Sequence, residues 1–237
     1  MTQRSVIITG AGKGIGYATL CACVAGGFDV LACDVNPQLL AAVQEKFTTA
    51  VSTHCFDVAD HAAVAEFFAA LDTRPNYLVN NAGIYPARNI LDYSPEEMNA
   101  VFDINVLGAA FMTQAFARPL IQNKSEGVIV NVASVAQYGS ADAIYGASKG
   151  AVAALTRCCA FSFSPYIRVN AVAPGIVRTD MFSAVPEHVL EWYRRTELVK
   201  EPIEAEDVAK TIFFLLGEDA RHYSGATFDL NNGFHRR

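Results

Sequence analysis

The sequence predicts an α/β protein: one doubly wound, Rossmann-like domain spanning 1–237, with a central parallel sheet and helices on both faces. Three observations carry this. Short β-branched apolar runs alternate with stretches of helical apolar spacing along nearly the whole chain, the pattern of strands joined by crossover helices. The first such run, Ser5-Val6-Ile7-Ile8, leads at once into the glycine-rich turn Thr9-Gly10-Ala11-Gly12-Lys13-Gly14-Ile15-Gly16. Finally, 237 residues that are 52% hydrophobic and 18% charged suit one large core and leave little room for a second.

Taken in order, strands are expected at 5–9, 29–33, 51–56, 77–80, 128–133, 167–172 and 226–230. Helices are expected at 14–25, 37–46, 60–71, 95–122, 144–161, 187–195 and 205–216. The first helix ends at Gly26-Gly27. The second strand, Val30-Leu31-Ala32-Cys33, closes on Asp34, and the fourth, Tyr77-Leu78-Val79, on Asn80-Asn81. Ser94-Pro95-Glu96-Glu97 is a helix start, with a capping serine, proline in the first position and acids in the first turn. The strand Val128-Ile129-Val130-Asn131-Val132 runs out towards Ser134. Ligands of such sheets sit across the carboxyl ends of the strands, where strand order reverses. Asp34, Asn80, Ser134 and Pro174 all fall at strand ends by this assignment.

Strand, glycine turn and helix together make an anion site, because small residues let backbone N–H groups approach a pyrophosphate at the positive end of a helix. Glycines fall at 10, 12, 14 and 16, so the G-x-G-x-x-G spacing is not matched. Asp34, about twenty residues on, suits an adenosine ribose diol and repels the extra phosphate of NADP. Lys13 pulls the other way, since a cation in the turn pairs with that phosphate. No arginine follows Asp34 in Val35-Asn36-Pro37, so NAD is expected over NADP.

Tyr145 and Lys149 lie four residues apart in Tyr145-Gly146-Ala147-Ser148-Lys149, on one helix face. A free tyrosine has a pKa of about 10, and a neighbouring ammonium favours the ionised phenol. The expectation is a lowered pKa and a general acid/base. Read alone, such a pair is usually a packed ring beside a solvated charge. Ser134 alone fits a turn, and Asn105 a helix-interior polar residue.

Together these pieces resemble the classical short-chain dehydrogenases/reductases, nearly end to end. The resemblance rests on the Thr9–Gly16 turn, Asn80-Asn81-Ala82-Gly83, Asn105, Ser134, Tyr145 with Lys149, and Pro174-Gly175 followed by Thr179. It implies that Tyr145 exchanges a proton with a carbonyl or alcohol oxygen and that Ser134 hydrogen-bonds the same oxygen. Lys149 lowers the tyrosine pKa and binds the nicotinamide ribose, and Asn105 anchors a water linking Lys149 to solvent. Gly10, Gly12, Lys13, Gly14, Ile15, Gly16 and Asp34 form the dinucleotide end. In the same way Asp57 and Val58 meet the adenine, and Asn81, Ala82 and Gly83 line the adenosine side. Pro174, Gly175, Ile176, Val177 and Thr179 cover the nicotinamide.

Departures from the family pattern are local. Ser134 and Tyr145 are 11 residues apart, fewer than usual, which trims the pocket border Val135–Ile144. Pro165 stands where a glycine-bearing turn is more typical, and Asp229-Leu230-Asn231-Asn232-Gly233 replaces an aspartate-glycine-glycine ending. Tyr85, Gln137, Tyr138 and Phe182 are assigned to the substrate pocket, with Pro86, Trp192 and Tyr193 nearby and a mobile lid at about 180–200. His188 and His222 receive no role. An aromatic border suits an apolar or ring-bearing substrate.

Six cysteines show no metal-ligand spacing, and no metal is expected. They read as core thiols of a reducing, cytoplasmic compartment. With a strand starting at Ser5 no signal peptide fits, and no apolar run of spanning length is expected. A formal charge of −6 disfavours nucleic acid and anionic membranes as partners. Alanine- and phenylalanine-rich surfaces on 95–122 and 144–161 point to a subunit interface, in a homotetramer or homodimer. The expected activity is an NAD(H)-dependent interconversion of a secondary alcohol and a ketone. The alternatives are an NADPH-dependent 3-oxoacyl-thioester reductase and, in another class, a dinucleotide-binding sensor or scaffold without chemistry.

Overall fold

The computed structural model describes residues 4–179, 181, 185 and 187–235. Strand β1 (Ser5–Thr9) enters helix α1 (Gly14–Ala25), and β2 (Asp29–Asp34) enters α2 (Pro37–Lys46). Then come β3 (Val51–Cys55), α3 (His61–Ala69), β4 (Tyr77–Asn80), α4 (Pro95–Phe102), α5 (Ala109–Gln122), β5 (Gly127–Val132), α6 (Ala143–Phe163) and β6 (Ile167–Pro174). The last third holds β7 (Val177–Arg178), α7 (Glu187–Thr196), β8 (Ile203–Glu204), α8 (Ala205–Leu216) and β9 (Thr227–Leu230). Seven strands form one parallel sheet in the order β3-β2-β1-β4-β5-β6-β9, while β7 and β8 pair separately. The expected fold class is therefore found.

The central strands are covered on both faces, which is why β1 and β5 are nearly continuous buried runs rather than alternating ones. Val6, Ile7 and Ile8 of β1 are fully buried, and so are Ile129 and Val130 of β5. On one face Val6 and Ile8 pack with Leu20 of α1 and Val208 and Ile212 of α8. On the other, Ile7, Leu78 and Ile129 pack with Phe67 of α3 and Met112 and Phe116 of α5. Each such side chain contributes roughly 1.5–3 kcal/mol relative to exposure.

Helix starts are set by local chemistry. Asn36 caps α2 with Pro37 behind it, and Asp60 caps α3. Ser94 and Glu97 close a capping box on α4, as the sequence predicts. Strand order reverses at β1, whose neighbours are β2 and β4, so the ends of β1 and β4 open the crevice of a doubly wound sheet.

Three expectations need correction. The segment 95–122 is not one α-helix, because Asp103–Gly108 forms a π-helical turn between α4 and α5. The β7–β8 pair was not expected, since two-residue strands carry no periodic signal. The continuous helical stretch Pro95–Gln122 has 28 residues, and an 18-residue window within it has a mean hydropathy of 1.4, long and apolar enough by length and composition to cross a membrane. Here Val101, Met112, Phe116 and Leu120 are buried and α5 packs on β4, β5 and α6, the position of a core helix.

Candidate active site

Everything in the site hangs from the carboxyl ends of the strands. At the end of β1 the Thr9 hydroxyl accepts the N–H groups of Asn81 (3.0 Å) and Ala82 (3.1 Å). The Asn81 amide donates back to the Thr9 and Gly10 carbonyls at 2.9 and 3.1 Å. The loop after β4 is thereby stitched to the glycine turn. That turn needs Gly16 for closeness: a Cβ there would lie 2.0 Å from the Gly10 carbonyl oxygen. Gly14 is needed for conformation, with φ at +56°. Lys13 occupies the cap position of α1 without a side-chain cap bond, and no acid sits in the first turn. The N–H groups that open α1 have no partners within the helix and so favour an anion.

Asp34, at the end of β2, accepts the Gly12 N–H at 2.9 Å on one oxygen and the Asn36 N–H at 3.0 Å on the other. Asp57 accepts the Ala59 N–H at 2.9 Å, fixing the turn before α3. Val58 is buried and packs against Gly108, leaving no room for a side chain there.

A cavity of about 930 Å³ runs from Gly10, Lys13, Gly14 and Ile15, past Asp34, Asp57, Val58, Asn81, Ala82 and Gly83, to Ser134, Tyr145 and Lys149. Pro174, Gly175, Ile176, Val177 and Thr179 line it too, as do Tyr85, His188, Trp192 and Tyr193. The volume is at the upper end for ligand sites and has room for a dinucleotide beside a small substrate. The residues fit such a cofactor: a bare glycine cradle and a helix start at one end, a carboxylate at the end of β2, and a tyrosine at the other end.

Asp142 caps α6 by accepting the Tyr145 N–H at 2.9 Å, which fixes the first turn of that helix beside Ser134. The Ser134 side chain faces the same cavity and is near enough to the Tyr145 hydroxyl to favour its ionised form. Lys149 is buried and donates to the Val132 carbonyl at 2.8 Å, with its ammonium 5.7 Å from the Tyr145 ring centre. Burial pushes the Tyr145 phenol up to about 12; Ser134 opposes this, while Tyr85, Asp142 and Tyr193 add to it. Burial also lowers Lys149 to about 8. The expected acidification of the phenol is thus reversed within the protein alone. Desolvation is the largest cause, and the Lys149 ammonium is directed at the Val132 carbonyl.

Asn105 lies in the π-helical turn, where its amide donates to the Ile84 carbonyl and the Ser148 hydroxyl, both at 3.1 Å. Its side-chain oxygen accepts the Ile84 N–H at 2.8 Å. It is buried behind the cavity wall and joins the loop after β4 to α6. Gly83 runs between Asn105 and Lys149: a Cβ on it would meet both, at 3.0 and 3.4 Å. Gly12 and Gly16 likewise shape the turn from behind.

The substrate border needs revision. Tyr85 lines the cavity and meets Tyr145 edge-on at 4.8 Å. Gln137 and Tyr138 do not line it, because a 3₁₀ turn over Val135–Tyr138 turns them away. Tyr138 instead donates to Asp229 at 3.0 Å and stacks on His235, and the Gln137 amide nitrogen is buried without a partner among the described residues. Phe182 lies outside the described residues. His188, given no role by sequence, is in the wall. Thr9 and Asp142 were also missed; an acid three residues before Tyr145 is a recognisable helix-start signal. No cluster able to hold a metal occurs among the described residues.

A family profile described as Enoyl-(Acyl carrier protein) reductase matches residues 10–235. The chain belongs to the short-chain dehydrogenase/reductase family. Among its relatives in that family, the meso-2,3-butanediol dehydrogenase of Serratia marcescens is 32% identical over 239 residues, covering 98% of this chain and 94% of that one. The L-xylulose reductase of Bos taurus is 34% identical over 241 residues, covering 99% and 97%. A solved structure of a 4-hydroxyisoleucine dehydrogenase complexed with NADH superposes with a TM-score of 0.91 at 28% identity, covering 98% of both chains. This short-chain dehydrogenase/reductase is therefore an oxidoreductase of the nicotinamide-dinucleotide type.

Proposed function

We propose that the protein is an NAD(H)-dependent oxidoreductase interconverting a secondary alcohol and a ketone, the whole chain acting as one catalytic domain. The observation that carries this is the convergence of Ser134, Tyr145 and Lys149 on the wall of one cavity that begins at the glycine turn. When bound, the nicotinamide supplies or accepts the hydride. The rest falls to the chain. Gly10–Gly16 and the start of α1 hold the pyrophosphate, Asp34 the adenosine ribose, and Asp57 and Val58 the adenine side. Ser134 and the Tyr145 hydroxyl, on the wall of one cavity, form a two-point anchor for one substrate oxygen. With a pKa near 12, Tyr145 keeps its proton at neutral pH and is ready to donate it to a carbonyl. Lys149 places positive charge beside that phenol, and Asn105 positions α6.

Asp34 favours NAD, because a carboxylate at the end of β2 would repel the 2′-phosphate that NADP carries. Lys13, also in the wall, favours the second reading, an NADPH-dependent 3-oxoacyl-thioester reductase. Beyond Tyr145 the wall is mostly aliphatic and aromatic, with Ser140 and His188 as polar members. No lysine or arginine there, among the described residues, pairs a carboxylate or phosphate, which supports a neutral substrate. The alcohol and ketone chemistry in the names of the Serratia and Bos relatives supports the same class. Exposed Phe102 at the end of α4 and Leu107 in the π-helical turn, with Phe161 on α6, support a homo-oligomer, and six free thiols support a reducing compartment.

The test is purified protein with NAD(H) and NADP(H) against neutral alcohols and ketones, hydroxy acids and 3-oxoacyl thioesters, followed by nicotinamide absorbance. Turnover of neutral ketones with NADH is expected. A strong NADPH preference with turnover confined to thioesters selects the second reading. Dinucleotide binding with no turnover of any kind selects a sensor.

A further inference from the structure

Helix α7 forms part of the wall on the substrate side through His188, Val189, Trp192 and Tyr193, yet Leu190 is its one buried residue among those described. Ten residues of helix with a single buried anchor are marginal on their own, so something else must hold α7 in place. The C-terminal segment does so. Phe234 stacks on Tyr193 with ring centres 4.1 Å apart and meets Trp192 edge-on at 5.0 Å. One residue on, His235 stacks on Tyr138 at 3.9 Å, in the turn that follows Ser134. Behind them the Asn232 carbonyl accepts the N–H groups of Leu198 (2.7 Å) and Val199 (3.1 Å), just past α7. Gly233 packs so tightly on Leu198 that a Cβ would come within 2.9 Å of it.

We propose that Phe234 is a positioning residue for substrate, acting through Tyr193 and Trp192, and that Asn232–His235 ties α7 to the Ser134 turn. Phe234 is not in the cavity wall itself. Its two ring partners are, so removing its side chain frees the wall to move without touching Tyr145 or the glycine turn. The effect falls on how well substrate is held, not on the proton transfer once it is held.

This rests on the cavity being a substrate site, so the first measurement needs no turnover. Trp192 is the sole tryptophan of the chain and is about half exposed (54%), so its fluorescence reports directly on the cover given by Phe234. In Phe234→Ala we expect acrylamide quenching of Trp192 to rise, with NADH affinity unchanged. With any substrate found active, KM should rise by about tenfold while kcat stays within about twofold, and Phe234→Tyr should restore KM. Unchanged quenching overturns the proposal whatever the substrate proves to be. So does raised quenching with an unchanged KM, or a fall in kcat at constant KM. Should Phe234→Ala fail to fold, Phe234→Leu keeps the bulk and loses the ring stack, and the same readings apply to it. Failure of the dehydrogenase reading itself appears separately, as wild-type protein without turnover but with normal quenching.

Discussion

The dinucleotide end and the substrate end of the cavity share a sheet but are held by different forces. At the first, nearly every contact is a hydrogen bond to backbone: Thr9 to Asn81 and Ala82, Asn81 to Thr9 and Gly10, Asp34 to Gly12 and Asn36. At the second, rings pack on rings: Tyr85 on Tyr145, and Phe234 on Tyr193 and Trp192. Hydrogen bonds fix atoms to tenths of an ångström and tolerate few residue types. Ring packing fixes shape and tolerates many. A frame of the first kind serves a constant cofactor, and one of the second kind suits a substrate that differs between relatives.

The sharpest break between the ends comes at Tyr145. In Tyr145→Phe the ring stays and the proton leaves, so turnover should fall by about 10²–10⁴-fold while NADH binding is kept. Turnover within a few-fold of wild type would remove Tyr145 from the chemistry. At the other end, Gly16→Ala forces a methyl into the Gly10 carbonyl. It should destabilise by roughly 1–3 kcal/mol in urea unfolding and lose dinucleotide affinity as well, an overpacking effect no soft ring wall would transmit.

Lys149 lies where the two ends meet. Its folded pKa of about 8 is below the unfolded value of 10.5, so between these the unfolded chain binds more protons and stability rises with pH. Relative to Lys149→Met, wild type should therefore gain about 2 kcal/mol between pH 7 and 10, measured by denaturant unfolding at each pH. A flat difference would mean that the ammonium is not desolvated in the folded protein. The smallest expected change is at Asp34. Asp34→Ser should shift the NADH-to-NADPH affinity ratio by about tenfold towards NADPH, one like-charge contact's worth. No shift would assign cofactor choice to Lys13.

The same contrast decides what the sequence revealed. Gly10–Gly16 and Asp34 show in the sequence as a glycine turn and an acid at strand ends, whereas Ser134, Tyr145 and Lys149 became legible only as a set, through the family resemblance. Gln137 and Tyr138 stand next to Ser134 in sequence, but a 3₁₀ turn points them elsewhere, and chain adjacency carries no direction. His188 reaches the wall only because α7 is docked, and α7 is docked by residues some forty positions further along. The phenol's raised pKa was illegible for the same reason: burial is a property of the assembled protein, whereas the ammonium four residues away is visible in one line of text.

The π-helical turn at Asp103–Gly108 has one more consequence. Such a turn holds one residue more than a regular α-helical spiral needs, and Asn105 is in it. Chain length here therefore sets where the Asn105 side chain points. Deleting a single residue ahead of Asn105 in this turn should let the spiral close regularly and turn Asn105 away from Ile84 and Ser148, with the sheet left intact.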